Sequence, residues 1–164
     1  MAAPLANLVL RSAVWLGALV WWVSLRKPAN MSWAGIPFGV VTVLGLVIMG
    51  AGMAIFIWTA RTLAGAVPNA IDAPAVLLLR GPFRFVRNPL YLAAAAVFVG
   101  VTTVYRLWQP RDAFVVSPIA LLIHLFVVYR EEPVTRRRFG PAYDAYRAHV
   151  PRWIPRGRAP HSVL

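Results

Sequence analysis

The chain has 164 residues, 60% of them hydrophobic, with a mean hydropathy of +0.65 and a formal net charge of +12. A soluble domain of this size cannot hide so much apolar side chain, so the solvent is lipid. The basic residues fall between and after apolar runs, which indicates a membrane protein with a basic cytoplasmic face rather than a nucleic-acid binder. There is no cysteine, which removes disulfides, thiolate metal ligation and a cysteine nucleophile.

Met1 to Leu10 lacks a basic leader and no small-x-small cleavage site follows before Arg26, so the first apolar segment is expected to be retained. Leu5 to Leu25 is a first span of about the ~20 residues a bilayer core requires. Arg11 lies inside it, shallow enough to snorkel to the headgroups or to pair with a lipid phosphate or a buried acid. A short loop with Arg26, Lys27, Pro28 and Asn30 leads to a second span, about 36–59, whose Gly39, Gly45, Gly50 and Gly52 suit close helix packing. The loop over 60–88 is the longest polar connection, with a short apolar stretch, Val76 to Leu79, expected at the interface.

Pro89 opens a third span, about 89–105, at the one helical position where its missing N–H is harmless. Ala93 to Ala96 give this span a small, packable face. A turn with Pro110 leads to a fourth span, about 113–129, and the third and fourth are expected to form a helical hairpin leaning on the first two. Beyond Tyr129 the composition turns polar. Pro133 is expected to open a helix with Glu132 near its N-cap, Gly140-Pro141 to break it, and Pro141 to His149 to form a second short helix. Tyr143, Tyr146, Val150 and Trp153 are then placed along the headgroup layer. The result is an all-α, polytopic membrane helix bundle, one integral domain over 1–164, with four spans and short interfacial helices in the tail, 130–164. Twelve arginines in the loop 60–88 and the tail, against four basic residues in the other two connections, predict that loop and tail face the cytoplasm.

The histidines (His124, His149 and His161) have no metal-ligand spacing, and no nucleophile elbow, P-loop or dinucleotide fingerprint is present. His124 lies inside the fourth span, where a packing role and a functional one are both open. Two polar clusters remain, each at the end of an apolar run. The first, Gly81 to Tyr91, holds Arg84 and Arg87, whose planar forks suit a carboxylate or phosphate, and a rigid turn at Asn88-Pro89 followed by Tyr91. The second is Arg130-Glu131-Glu132-Pro133, whose acids either build a site or offset nearby arginines and cap a helix. Both clusters are expected to meet on one face of the membrane.

Arg87-Asn88-Pro89-Leu90-Tyr91 resembles the Arg-His-Pro-x-Tyr motif of the isoprenylcysteine carboxyl methyltransferase family, to which phospholipid N-methyltransferases are related. Glu131-Glu132, Phe139-Gly140, Tyr143, Tyr146, Val150-Pro151 and Pro155 look like that family's C-terminal signature, in the same order and at a similar separation. The resemblance covers about residues 81–156. It implies S-adenosylmethionine-dependent methyl transfer in a membrane helix bundle, to a lipophilic acceptor that comes from the bilayer: an isoprenylcysteine-like carboxylate, or a phospholipid amine. It places Arg87, Asn88, Pro89, Leu90, Tyr91 and Glu132 at the cofactor, with Glu131 in support. Arg84 and Arg130 are the further candidates, for the cofactor carboxylate or the acceptor headgroup. Asn88 stands where the family often has histidine, and the family's substrate-side arginine falls on Val128. A basic membrane scaffold that binds anionic lipid is the non-enzymatic alternative.

Overall fold

The computed structural model describes residue 25 and residues 38–64, 77–107 and 109–155. The first predicted span, 5–25, lies outside the described residues apart from Leu25, as do the Arg26–Ala34 loop, the middle of the long loop and the last nine residues.

Every regular element among the described residues is helical. Helix α1 (Val40–Ala64) is 25 residues of mostly aliphatic side chains with no proline. It continues past the predicted end at 59, because nothing in Ala60-Arg61-Thr62-Leu63 breaks a helix. Thr59 and Thr62 donate their hydroxyls to the carbonyls of Ile55 and Trp58, one turn back, which hides two polar groups in an apolar segment. Helix α2 (Pro89–Val104) starts on its proline. At 16 residues it is about 24 Å long.

The partner of α2 is α1, rather than the fourth span. Gly45 faces Gly100 and Val104, and Gly52 faces Ala93, Ala96 and Val97, so the two helices run antiparallel. Along α1 the buried residues Gly45, Gly52 and Thr59 recur every seven positions, and on α2 Ala93 and Gly100 do the same. A seven-residue repeat of small side chains makes a continuous seam along which two backbones can touch. A Cβ on Gly100 would stand 2.5 Å from the Met49 nitrogen. The glycines thus divide: Gly45 and Gly52 pack, whereas Gly50 has nothing within 4 Å.

Helix α3 (Ala113–Phe126) buries none of its residues within the chain. It does not end before Pro133. A π turn, Val127–Glu131, joins it to helix α4 (Glu132–Phe139), giving 27 continuous helical residues. Proline has no N–H for the carbonyl four residues back, and its ring crowds that carbonyl. The wider turn accommodates both effects: the Glu132 N–H bonds to Val127 O, five residues back. Glu132 is therefore mid-helix, in αR geometry, and not the cap of a new helix. The expected break does fall at Gly140 (φ +53), after which helix α5 (Pro141–His149) begins.

Of the helices, α1 and the continuous 113–139 helix are long and apolar enough to cross a membrane; α2 is shorter. The residues placed along the headgroup layer are instead packed. Tyr143, Tyr146 and Val150 are buried together against Leu77, Leu79 and Phe139. The apolar stretch before Arg80 is thus covered by α5, because its leucines and the inner face of α5 bury each other.

Candidate functional site

The site is built where four short pieces of chain meet: the turn before α2, the first turn of α2, the π turn with the start of α4, and the segment after α5. Gly81 adopts φ +63, and a Cβ there would meet Thr62 on α1 at 2.5 Å. A 3-10 turn, Gly81–Arg84, follows with Pro82 at its start. The N–H groups of Phe85 and Val86 close onto Pro82 O, and the Phe85 ring lies 6.1 Å from that of Trp58. This anchors the turn to the end of α1 and delivers Arg87 and Asn88 to the start of α2.

Helix α5 and the segment after it are laced to this turn. The Arg87 N–H donates to Pro151 O at 2.9 Å, Asn88 Nδ2 to Arg152 O at 3.4 Å, and the Tyr146 hydroxyl to Phe83 O at 2.8 Å. Asn88 therefore uses its amide as a structural donor, a role that needs no charge.

The two predicted clusters are joined through their side chains. Arg87 Nη1 donates to Glu132 Oε1 at 2.9 Å. The Tyr91 hydroxyl donates to Glu131 Oε1 at 2.8 Å. Arg152 holds Glu132 in a fork, Nε to Oε1 at 2.6 Å and Nη2 to Oε2 at 2.8 Å. Glu132 and Arg87 each expose only 12% of the side chain. A carboxylate so enclosed, gripped by two guanidiniums, is ionised. The hydrogen bond to Glu132 raises the Arg152 pKa further, against the opposing effect of burial. Burial pushes the Tyr143 phenol up, with a hydrogen bond from Arg87 acting the other way, and burial likewise raises Tyr146. Both tyrosines stay neutral. One donor in this enclosed cluster is unused: Arg87 Nε is buried without a hydrogen-bond partner among the described residues.

Of the residues singled out in the sequence, Arg87, Asn88, Tyr91, Glu131 and Glu132 come together. Pro89 is fully buried beneath them and Leu90 is half-buried. Arg84 closes the 3-10 turn and is half-buried. Arg130 is not brought in: its side chain is exposed, on the outer side of the π turn. The extra residue of a π turn shifts the helical face, so counting four residues back from Glu132 is not a measure of who shares its side. Arg152 joins the cluster although the sequence reading did not single it out, and Tyr143 and Trp153, which that reading placed at the headgroup layer, lie against the cluster as well. Trp153 Nε1 donates to His124 Nδ1 at 3.0 Å, and its ring meets that of Tyr91 edge-on at 6.2 Å.

Long apolar helices with a dense arginine–glutamate–tyrosine cluster at one end describe a helical membrane protein with an enclosed polar cluster at the helix ends. A profile of the phospholipid methyltransferase family matches residues 40–142, more than half of the chain. The chain belongs to that family, which includes the isoprenylcysteine carboxyl methyltransferase-like membrane methyltransferases. Comparison with curated proteins and with solved structures gives no match.

Proposed function

We propose that the protein transfers the methyl group of S-adenosylmethionine to a lipid-like acceptor that reaches the site from the bilayer. The observation that carries this reading is the joining of the Arg87–Tyr91 motif to Glu131 and Glu132 through direct hydrogen bonds. The donor set suits the cofactor. The unused Arg87 Nε and the Arg152 guanidinium match a carboxylate, and Glu131 and Glu132 match a cationic centre. When bound, the cofactor supplies a methyl group that is already electrophilic. The protein then has to align the acceptor and keep water away. Arg87, Asn88, Pro89, Leu90 and Tyr91 border the cofactor in this reading. Glu132 fixes both guanidiniums, and the rings of Tyr91 and Trp153 form an apolar wall beside them.

The nature of the acceptor decides what Glu131 does. An amine must lose a proton on methylation, and Glu131, steadied by the Tyr91 hydroxyl, is placed to take it. An isoprenylcysteine-like carboxylate needs no base, and Glu131 then only orients Tyr91. Both acceptors occur within the family, and its description as phospholipid methyltransferases is what supports taking the phospholipid amine first. Purified protein in detergent is expected to melt at a higher temperature with S-adenosylmethionine or its demethylated product, and Tyr91→Phe to weaken that affinity about tenfold, the size of one hydrogen bond to a charged group. A scaffold that only binds anionic lipid would show no shift with either compound, and that result would overturn the reading.

The proposed topology is one integral domain with four crossings. The ends of the helices support it: residues 81–91 and 127–155 gather at the end of α1 that carries Thr62, while Gly39 lies near Arg106 at the other. With twelve arginines on the site side, that side is cytoplasmic. A reporter that is active only outside the cytoplasm, fused to the C-terminus, is expected to stay silent; strong activity would reverse the orientation.

A further inference from the structure

His124 sits in the apolar part of the continuous 113–139 helix, seven residues and about 10 Å before Glu131. An ionisable side chain at such a place needs a reason. Its packing role accounts for one nitrogen only. Trp153 Nε1 is a donor and nothing else, so the His124 Nδ1 it faces at 3.0 Å must accept. A neutral imidazole that accepts at Nδ1 carries its proton on Nε2. The second nitrogen of this half-buried side chain is therefore a fixed N–H donor, and it has no hydrogen bond to another described residue. This tautomer has no lone pair at Nε2, so His124 in this state is a donor and not a base.

Trp153 ties this donor to the cluster. Its ring centroid lies 6.2 Å from those of both Tyr91 and His124, so one wall runs from Glu131 through Tyr91 and Trp153 to His124. Trp153 itself falls outside the stretch matched by the family profile. An acceptor that enters from the bilayer with its tail left in the lipid would present its reacting group at Glu131 and pass the atoms on its tail side along this wall. A phospholipid carries its phosphodiester there, between the reacting head and the acyl chains. A prenylcysteine carries its oxyanion at the reacting end.

Resting on the proposed methyltransferase reading, we propose that His124 Nε2–H binds a phosphodiester oxygen of a phospholipid acceptor, with Trp153 as the positioning residue that fixes the imidazole tautomer. A hydrogen bond to an anionic oxygen at a poorly hydrated site corresponds to about tenfold or more in affinity.

The test uses detergent-purified full-length protein and two probes, phosphatidylethanolamine and N-acetyl-S-farnesylcysteine. Binding of each is followed by native mass spectrometry, and methyl transfer from radiolabelled S-adenosylmethionine gives KM and kcat. His124→Phe is expected to weaken phosphatidylethanolamine binding, and to raise its KM where turnover is seen, about tenfold. The thermal shift by S-adenosylmethionine should stay at the wild-type value. His124→Gln, whose amide can both accept from Trp153 and donate, should recover most of the affinity. Trp153→Phe should raise KM several-fold with little change in kcat. Unchanged phosphatidylethanolamine binding in His124→Phe overturns the proposal, as does a wild type that binds only the farnesylcysteine probe. Loss of the cofactor shift in the wild type would instead remove the methyltransferase reading beneath it.

Discussion

Glu132→Ala is expected to lower S-adenosylmethionine affinity by at least about tenfold and to destabilise the folded protein by roughly 2 kcal/mol, below the ~3–5 kcal/mol of a fully buried pair because part of the cluster remains wetted. The carboxylate makes three short contacts, one with Arg87 and two with Arg152. Removing it leaves two guanidiniums side by side, 12% and 27% exposed, with no counter-charge between them. They would repel, and the segment carrying Arg152 would lose its charged anchor and be held by its backbone contacts at Pro151 and Arg152 and by the Trp153–His124 bond. Calorimetry of cofactor binding, together with thermal unfolding, reads both effects. Glu132→Gln keeps the shape but sets an amide NH2 against a guanidinium, so it should lose nearly as much affinity. Unchanged cofactor affinity in both variants would refute the assignment of this cluster to the cofactor.

The double variant Glu132→Ala with Arg152→Met should recover stability relative to Glu132→Ala alone, because it removes a stranded charge rather than a working contact. It should not recover binding. This separates a cluster that only holds the chain together from one that also holds a ligand.

Much of this site was legible before the fold was known, for physical reasons. Arginines, a proline turn and a tyrosine at the end of one apolar run, and two acids at the end of another, are costly in or near lipid unless they meet. Membrane segments that fold back bring such ends together, and Arg87 and Tyr91 do meet Glu132 and Glu131. Other features stayed hidden because the rule that would find them is not local. Arg152 is one of eight arginines after Tyr129, and nothing in its neighbours apart from the flanking Pro151 and Pro155 distinguishes it from a basic tail. Pro133 reads as a helix start because proline favours that position, and only the π turn behind it shows that the helix runs on. The pairing of α1 with α2 was written in the sequence as a matched spacing, Gly45 and Gly52 against Ala93 and Gly100. Small residues counted by density rather than by period do not reveal it.

That spacing carries the second large effect. Gly100→Ala is expected to destabilise the protein by roughly 2–3 kcal/mol, whereas Gly50→Ala, on the same hairpin, should be neutral or stabilising by up to about 1 kcal/mol. A methyl group at residue 100 would lie 2.5 Å from the nitrogen, 2.6 Å from the Cβ and 2.7 Å from the Cα of Met49. Two of these are backbone atoms, which cannot rotate away, so α1 and α2 must separate along their seam. At Gly50 an added methyl meets nothing within 4 Å and gains only the better helix propensity of alanine. Thermal unfolding of detergent-purified variants gives the comparison, and equal effects at the two positions would mean the seam is not where the helices touch. The consequence reaches the site. Helix α2 begins at Pro89, with Asn88 and Tyr91 on its first turn, and the 3-10 turn before it is seated on Thr62 of α1. Prising the two helices apart at Gly100 tilts that first turn away from Glu131. Gly100→Ala should therefore weaken S-adenosylmethionine binding as well as stability, although residue 100 lies at the other end of α2 from the cluster.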